Sequence, residues 1–356
     1  MLTFVLYKCI ITIVNKTIKQ KSSYKGGNNY LIELIELNKV YKMDNLELLN
    51  QLPNNYIDLI YSDILFNTGK KFKDYNDNLG TPQQAIEWYR PRIEEMYRVL
   101  KDTGSIYLHM DYRLVHYMKV LMDEIFGFDN FRNEIVWQKT YTSKTQSKSF
   151  GKVYDTILFY SKNNKFTYNQ LYLSPNEDYI NKYYNKIDDD GNRFQSISLT
   201  QQGQGNAKYF GNKLIEPPSG MHWIWKQERI DKAMENGLIY FTKNNMPRLK
   251  KYYDKDTTKG KPLHDLWVDE EIAPLNSWHS KSVNYDTQKP KSLLERIIKS
   301  SSNGNDIVAD LFMGSGTTMV VAKELGRNFI GCDISERAIE ITEKRLSEVC
   351  ECDDVG

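Results

Sequence analysis

The chain of 356 residues has little of several features that define common protein classes. It contains only 4 cysteines and 5 histidines. Cys9, Cys332, Cys350 and Cys352 have neither the spacing of a metal site nor that of a disulfide framework, and the histidines also lack ligand spacing. We therefore expect no metal and a reducing, cytoplasmic setting. The net charge is only +2, so affinity for a polyanion would have to come from local patches.

Long hydrophobic runs are also scarce. The apolar run over residues 2–14 is short, is interrupted by Lys8, and lacks the flanking features of a signal peptide. We expect neither a signal peptide nor a membrane span, and we interpret residues 1–28 as an N-terminal extension. The 13 % aromatic content, with 25 tyrosines, indicates a folded protein that is long enough for two domains or for one domain with an insertion.

Predicted strands and helices alternate along the first part of the chain. Apolar runs predict strands over residues 56–61, 104–110 and 133–138. Helical periodicity predicts helices over residues 82–100 and 113–126. Because such alternation is typical of parallel strands joined by crossover helices, the sequence predicts an open α/β sheet.

The middle of the chain breaks this alternation. Residues 139–284 are irregular and rich in Lys, Asn and Tyr, and the alternation resumes at Lys291. The simplest interpretation is one α/β domain interrupted by a large insertion. The domain then consists of residues 29–138 and 285–349, followed by a tail over residues 350–356.

A glycine-rich turn near the C-terminal end is the most informative motif. Residues 306–318 read Asp-Ile-Val-Ala-Asp-Leu-Phe-Met-Gly-Ser-Gly-Thr-Thr, and a second apolar run ends at Asp333, 17 residues after Gly316. Gly314 and Gly316 allow the backbone to turn sharply and approach a ligand, while Asp333 can accept both hydroxyls of a ribose. The third glycine of the dinucleotide fingerprint is replaced by Met319, which disfavours NAD. The pattern predicts a nucleotide-type cofactor site.

This cofactor turn is the last of five segments that carry a family resemblance. The other four are residues 58–69, 98–107, 154–162 and 286–290. In this order they resemble the S-adenosylmethionine-dependent DNA amino-methyltransferases in which the catalytic motif precedes the cofactor loop. The chain is especially similar to enzymes that methylate adenine N6, including the modification subunits of type III restriction systems. The resemblance implies a Rossmann-like, doubly wound methyltransferase sheet, in which the insertion at 139–284 is the target-recognition region.

The resemblance also implies which residues bind the cofactor, S-adenosyl-L-methionine. It places the methyl donor at the glycine turn, with Asp333 on the ribose, and it assigns to this turn Asp310, Phe312, Gly314, Gly316 and Thr317. Gln288 and Lys289 are expected near the methionine carboxylate, which an amide and a cation suit. Asp44 aligns with another acid on the cofactor side. Two alternatives stay open, namely that Asp44 is only a helix cap and that Lys289 and Pro290 only begin a helix.

The catalytic motif of the family is altered in this chain. The family has Asp-Pro-Pro-Tyr or Asp-Pro-Pro-Phe, whose acid and next carbonyl accept hydrogen bonds from the target amine, while the ring stacks on the extruded base. Here the segment is Asp63-Ile64-Leu65-Phe66. Because the acid, the carbonyl of Ile64 and the ring of Phe66 are retained, we expect base flipping and direct methyl transfer without a covalent enzyme intermediate.

Three hypotheses about activity follow. Asp63 favours adenine N6, since an acid at this position goes with adenine in the family. Serine goes with cytosine N4, which is the second hypothesis, but Ser62 lies one residue too early for it. The third is a catalytically impaired DNA-binding homologue, because Ile64 and Leu65 lack the restriction on φ that two prolines impose.

The insertion carries two basic patches. Between residues 139 and 166 there are six lysines and one acid, and between residues 243 and 261 there are seven basic residues and two acids. Lysines suit phosphates, and Asn and Gln side chains suit base edges, so we expect double-stranded DNA to bind here. The candidate contacts are Lys139, Lys144, Lys148, Lys250 and Lys251. The alternative is that Lys, Asn and Tyr are simply common throughout the chain.

Two further expectations concern binding partners and the residues at the edge of the sheet. The resemblance implies a restriction subunit and a homodimer as candidate partners, and nothing in the pattern indicates a membrane. Asp155 and Tyr160, in the segment 154–162, are interpreted as organising the edge of the catalytic sheet rather than performing chemistry.

Overall fold

The computed structural model describes residues 35–71, 75–141, 148–272 and 288–349. The predicted extension over 1–28, the tail over 350–356 and Lys144 lie outside these residues. The described helices are α1 (Asn45–Gln51), α2 (Pro82–Val99), α3 (Val115–Phe126), α4 (Glu177–Tyr183), α5 (Gln227–Glu235), α6 (Lys291–Ser301), α7 (Thr317–Glu324) and α8 (Glu336–Ser347), with short 3-10 turns at Phe128–Asn130 and Glu270–Ile272. Among the described helices, none has the length and apolar character needed to span a bilayer.

The strands fall into a large central sheet and several small ones. They are β1 (Lys39–Lys42), β2 (Ile57–Asp63), β3 (Lys70–Lys71), β4 (Asn76–Asp77), β5 (Leu100–Met110), β6 (Phe131–Gln138), β7 (Tyr154–Ser161), β8 (Lys186–Ile187), β9 (Arg193–Ser198), β10 (Thr200–Gln202), β11 (Lys208–Phe210), β12 (Lys213–Ile215), β13 (Met221–Trp223), β14 (Ile239–Phe241), β15 (Pro247–Tyr252), β16 (Leu266–Trp267), β17 (Ile307–Asp310) and β18 (Asn328–Asp333). The elements predicted from periodicity occur within a few residues of their predicted bounds. The largest difference is at β5, which begins at Leu100, four residues before the predicted Gly104.

The central sheet has eight strands in the order β1-β18-β17-β2-β5-β7-β6-β16. Its neighbours pair in parallel except at β7, which is antiparallel to both β5 and β6. The predicted Rossmann-like α/β sheet is therefore confirmed, with one reversed strand that the alternation did not predict. β6 and β7 follow each other directly in the chain, and consecutive strands commonly pair antiparallel, as in a hairpin.

The arrangement around β2 and β17 brings the two halves of the domain together. β17 pairs in parallel with β2, with Val308 opposite Leu59 and Ala309 opposite Ile60. The chain continues from β17 to β18 on one side and from β2 to β5 on the other, so the strand order reverses between β2 and β17. Ligands of open α/β sheets bind at the carboxyl ends of the strands at such a reversal.

Helix α2 lies beside this point and has clear local signals. Thr81 and Gln84 form a capping box, and Pro82 occupies the first turn, where its missing N–H costs nothing. The face that α2 buries includes Tyr89, Ile93 and Met96 at helical spacing. Tyr89 is thus carried toward the end of β2.

The insertion has a small core of its own. Strands β14, β15, β9 and β8 form one sheet, while β10 with β13 and β11 with β12 form two antiparallel two-stranded sheets. Their cluster of buried side chains consists of Leu199, Phe210, Trp223 and Ile230. The predicted insertion at 139–284 is broader than these sheets, because β7 and β16 lie within it and yet belong to the central sheet.

Candidate active site

One cleft lies at the carboxyl ends of β2, β17 and β18. Most of the residues predicted for catalysis and cofactor binding line it, namely Asp44, Asp63, Ile64, Phe66, Lys289, Asp310, Phe312, Gly314, Thr317 and Asp333. Gln288 and Gly316 are not among the lining residues. The parallel pairing of β2 with β17 therefore brings Asp63 and the glycine turn into the same cleft.

The glycine turn requires its glycines. Gly314 and Gly316 have φ of 50° and 70°, in the left-handed region. A Cβ on Gly316 would lie 2.2 Å from Cγ2 of Thr342, so helix α8 also leaves no space for a side chain there. The N–H of Gly314 donates to Oδ2 of Asp333 over 3.0 Å. The acid at the end of β18 therefore fixes the turn.

Asp310 connects the start of this turn to helix α7. Its carboxylate accepts hydrogen bonds from the hydroxyl of Thr318 (2.5 Å) and from the N–H of Phe312 (3.1 Å). Burial raises the pKa of Asp310 to about 7, although these two hydrogen bonds oppose the shift. The nearby charges of Asp63 and Asp333 raise this pKa further. The side chain of Asp310 thus organises the turn from within.

Asp44 is both a helix cap and a residue of the cleft. Its Oδ1 accepts a hydrogen bond from the N–H of Leu46 over 2.8 Å, which caps α1. Its Oδ2 lies 2.9 Å from Nη2 of Arg92, whose guanidinium stacks 3.5 Å above the ring of Trp88. The helix-cap alternative thus describes the local geometry correctly, and the carboxylate still lines the cleft.

The two oxygens of the Asp63 carboxylate have different surroundings. Oδ2 lies 2.7 Å from Nζ of Lys289. Oδ1 is buried and has no hydrogen-bond partner among the residues that the structure describes. Lys289 lines the cleft and its ammonium binds Asp63; its place at the methionine carboxylate of the cofactor stays a prediction. Pro290 is the N-cap of α6, which agrees with the alternative that Lys289 and Pro290 begin a helix.

The sequence analysis missed a buried histidine behind Asp63. The ring of His109 on β5 is fully buried, and its Nδ1 lies 2.9 Å from the hydroxyl of Tyr61 and 3.8 Å from Oδ1 of Asp63. Its Nε2 lies 3.5 Å from Oδ2 of Asp155. The available signal was a histidine inside an otherwise apolar strand that follows the catalytic segment.

The catalytic loop after β2 is held by hydrogen bonds from distant residues. The N–H of Ile64 donates to the carbonyl of His109 over 3.2 Å. The hydroxyl of Tyr89, on α2, donates to the carbonyl of Leu65 over 2.9 Å. Ile64 is itself buried, with 3 % of its surface exposed. Neither residue that replaces a proline is therefore loosely placed.

Asp77 holds the next part of the same loop. Its two carboxylate oxygens accept the N–H of Asn67 over 2.9 Å and the N–H of Thr68 over 3.0 Å. Asn67 has a φ of 54°, a conformation that asparagine tolerates better than most residues. The loop is thus fixed at both its ends by side chains that lie outside it, Tyr89 and Asp77.

The described lysines among those predicted to bind DNA have different surroundings. Nζ of Lys139 lies 2.6 Å from Oδ1 of the buried Asp155, so its charge is directed to the central sheet. Lys250 and Lys251 are neighbours in β15, and successive side chains of a strand point to opposite faces. Lys148 is exposed, while Lys144 lies outside the described residues.

Comparison with known proteins agrees with this geometry. Residues 57–344 match a family described as DNA methylase, which comprises N6 and N4 enzymes. The chain is 32 % identical over 341 residues to the Type II methyltransferase M.EcaI of Enterobacter cloacae, covering 92 % of this chain and 74 % of that protein. It is 27 % identical to the StyLTI Mod subunit, a type III restriction-modification protein of Salmonella typhimurium, covering 82 % of this chain and 52 % of that subunit. The solved structure of the cytosine-N4-specific PvuII DNA methyltransferase is 15 % identical, with a TM-score of 0.48 and coverage of 88 % of each chain.

The sheet and its cleft define an α/β enzyme of the Rossmann-like class. Within that class, the chain belongs to the DNA methylase family of N6 and N4 amino-methyltransferases. The predicted resemblance and the predicted cofactor, S-adenosyl-L-methionine, are thereby confirmed. Because the family includes enzymes acting on either base, membership establishes a DNA amino-methyltransferase.

Proposed function

We propose that this protein transfers a methyl group from S-adenosylmethionine to adenine N6 in double-stranded DNA. The observation that carries the proposal is the asymmetry of the Asp63 carboxylate. Lys289 binds one oxygen, while the other is buried beside the cleft with no partner in the described part of the chain. Because Asp63 lines the cleft, this oxygen keeps its accepting capacity for an amino hydrogen of a bound base.

The residues of the cleft fit S-adenosylmethionine. The N–H groups of Gly314 and Ser335 donate to the carboxylate of Asp333, which lines the cleft at the end of β18, where an acid can accept the hydroxyls of a ribose. The ring of Phe312 lines the same cleft and offers an apolar face. The bound cofactor supplies a methyl group on a positively charged sulfur. We assign Asp333, Phe312 and Gly314 to holding it.

The catalytic loop would hold the target base opposite this methyl group. Oδ1 of Asp63 accepts one amino hydrogen and the carbonyl of Ile64 accepts the other. The nitrogen, whose lone pair is delocalised into the ring, then becomes more tetrahedral and nucleophilic. Phe66 stacks on the extruded base. Catalysis in this scheme is mainly the alignment of two bound reactants, worth up to about 7–11 kcal/mol.

The position of Ser62 supports adenine over cytosine as the target. Ser62 is fully buried, and its Oγ accepts a hydrogen bond from the N–H of Leu311 over 3.3 Å. It is not among the residues that line the cleft, whereas Asp63 is. A serine-based motif for cytosine N4 therefore has no support from the described residues of the catalytic loop.

The supports of the catalytic loop favour an active enzyme over an impaired one. Two prolines would restrict the loop by about 0.4–1 kcal/mol each through chain entropy. The hydrogen bonds from Ile64 to His109 and from Tyr89 to Leu65 are each worth about 0.5–1.5 kcal/mol. Because the two contributions are of similar size, the lost restriction is offset.

We further propose that the insertion binds DNA and that the protein is the methylating component of a restriction-modification system. Among the predicted lysines, Lys148 and Lys251 are exposed and therefore suited to phosphate contacts. The relatives M.EcaI and the StyLTI Mod subunit motivate the biological setting. A restriction subunit as partner and a homodimer stay predictions.

A product analysis tests the function. Purified protein is incubated with DNA and S-adenosylmethionine carrying a labelled methyl group, and the DNA is then digested to nucleosides. We expect label in N6-methyladenine. Label in N4-methylcytosine would contradict the choice of base, and no label in any nucleoside would contradict the activity.

Two charge-matched variants make this test specific. Asp63→Asn removes the proposed acceptor, and we expect the rate to fall by on the order of 100-fold or more. Asp102→Asn makes the same chemical change at an exposed position at the opposite end of the sheet, and we expect no effect. An Asp63→Asn variant that keeps the wild-type rate would exclude this residue from catalysis.

A further inference from the structure

A line of ionisable side chains runs from Asp63 into the sheet, away from the cleft. Oδ1 of Asp63 lies 3.8 Å from Nδ1 of His109, and Nε2 of the same ring lies 3.5 Å from Oδ2 of Asp155. The other oxygen of Asp155 binds Nζ of Lys139 at 2.6 Å. Along this line the exposure of the side chain is 21 % at Asp63, 0 % at His109 and 4 % at Asp155. The imidazole is therefore enclosed between two carboxylates.

Two atoms of this line are buried without a hydrogen-bond partner among the described residues. They are Oδ1 of Asp63 and Nε2 of His109. An unpaired buried polar atom costs about 1–3 kcal/mol, and such atoms in native proteins call for an explanation. Each faces a group with which it could exchange a proton. Catalytic hydrogen bonds are often long before the substrate binds and shorten in the complex.

Methylation of an amine creates a need for a base. The lone pair of the nitrogen forms the new N–C bond, and the electron pair of the broken C–S bond stays on sulfur. The nitrogen then holds a methyl group, two hydrogens and a positive charge until one proton leaves. Asp63 is the nearest carboxylate in the proposed function. If it keeps that proton, it can no longer act as an ionised acceptor.

We propose that His109 takes this proton from Asp63 and that Asp155 stabilises the resulting imidazolium. The inference rests on the proposed function of Asp63. Oδ1 of Asp63 accepts the proton from the product nitrogen, and Nδ1 of His109 accepts it from Asp63. Nε2–H of His109 faces the carboxylate of Asp155, as in other acid–histidine pairs that orient and stabilise an imidazolium. When the methylated base leaves, the proton returns through Asp63 to water in the open cleft.

The surroundings of Asp155 suit this role. Burial alone would favour its neutral form, but the neighbouring His109, Lys289 and Lys139 lower the pKa of Asp155 to about 2. A carboxylate that stays ionised in a buried place can balance a new positive charge. Asp155 was predicted only to organise the sheet edge, and its ion pair with Lys139 fits that role as well.

The remaining groups around His109 are compatible with a proton acceptor. From β2, the hydroxyl of Tyr61 lies 2.9 Å from Nδ1 and Oδ1 of Asp63 lies 3.8 Å from it. The hydroxyl donates to Nδ1 of the neutral ring and turns to accept from Nδ1–H of the imidazolium, since a tyrosine hydroxyl can do either. The ring of Trp137 on β6 meets the imidazole edge-on at 5.5 Å between centroids, and the ring of Phe66 lies 6.1 Å away. The cations Lys139 and Lys289 each bind a neighbouring carboxylate rather than the imidazole. Asp111, at the end of β5, is the remaining acid near Asp155.

The test compares His109→Gln and Asp155→Asn with wild type in steady-state kinetics across pH 5–9. We expect each variant to lower kcat by on the order of 10-fold, with KM for DNA and for the methyl donor unchanged, because neither residue touches a reactant. In Asp155→Asn, imidazolium forms less readily. We therefore expect the acidic limb of its pH–rate profile to move to lower pH, while the solvent deuterium isotope effect on kcat rises in both variants.

A matched control lies on the same strand. Tyr107→Phe removes a buried hydroxyl that bonds Ser301 at the end of α6 and makes no contact with the line from Asp63 to Asp155, and we expect its kcat and pH profile to match wild type. Wild-type kcat and profiles in both acceptor variants would overturn the inference, as would lower kcat with an unchanged profile and isotope effect. Should His109→Gln fail to fold by circular dichroism, Asp155→Asn decides alone. A wild-type protein that methylates no DNA at any pH would overturn the proposed function and this inference together.

Discussion

The cleft joins two loops that reach rigidity by different routes. The glycine turn at residues 310–318 is fixed locally, through glycines in left-handed conformations and acids at the ends of β17 and β18. The catalytic loop at residues 63–69 is fixed from outside, by Asp77, by Tyr89 and by the backbone of His109. The first route is visible in the local sequence, and the second depends on the tertiary fold.

The largest effect is expected from a substitution in the glycine turn. Gly316→Ala places a side chain at a φ of 70° and 2.2 Å from Thr342, so both strain and overlap oppose it. We expect a loss of more than about 3 kcal/mol of unfolding free energy, and binding of the methyl donor too weak to detect by calorimetry.

The control for this variant is Gly191→Ala, in the insertion. Gly191 has a φ of 84°, but a Cβ there meets nothing within 4 Å. Only the backbone strain of about 1–2 kcal/mol remains. Equal losses in the two variants, measured by urea unfolding, would show that crowding against α8 is unimportant.

The second prediction concerns a proline placed in the catalytic loop. Ile64→Pro restores one proline of the family motif but removes the N–H that donates to the carbonyl of His109. Because this acceptor is buried, we expect a loss of about 1–3 kcal/mol of unfolding free energy and no gain in kcat. A variant that is more stable and faster than wild type would mean that the loop is poorly ordered in this chain.

The third prediction concerns the support from α2. Tyr89→Phe removes the hydroxyl that holds the carbonyl of Leu65 while keeping the buried ring. We expect kcat to fall by about 3- to 10-fold, which corresponds to roughly 1 kcal/mol, with an unchanged affinity for the methyl donor. Tyr97→Phe on the same helix is the control, because its ring packs against Phe126 away from the cleft. Equal kcat values for the two variants would show that the hydrogen bond from Tyr89 to Leu65 does not contribute to catalysis.

The fourth prediction is a pH dependence within the cofactor turn. Burial raises the pKa of Asp310 to about 7 from an ordinary value of 3.8, so the folded state binds a proton that the unfolded state has lost. This contribution to stability is complete below about pH 4 and is lost as the pH rises through about 7. We expect Asp310→Asn to flatten the fall of the urea midpoint over this interval. An identical slope in wild type and variant would contradict the shift.

The two loops also explain what the sequence could predict. The α/β alternation, the glycine turn and the acid at Asp333 are local patterns, and their elements lie within a few residues of the predicted bounds. The reversal of β7, the position of Lys289 and the contacts of Lys139 depend on pairings between distant segments. Tyr89 could be predicted to be buried from its periodicity, but its hydroxyl finds a partner only in the folded chain.

The bond from Tyr89 to the catalytic loop has a consequence for recognising related enzymes. When a side chain on a neighbouring helix holds the loop in place, the two prolines of the family motif are no longer required and the loop sequence can vary. A search pattern that demands Asp-Pro-Pro would pass over this protein. A pattern that pairs an acid at the end of one strand with a tyrosine hydroxyl on the following helix would find it.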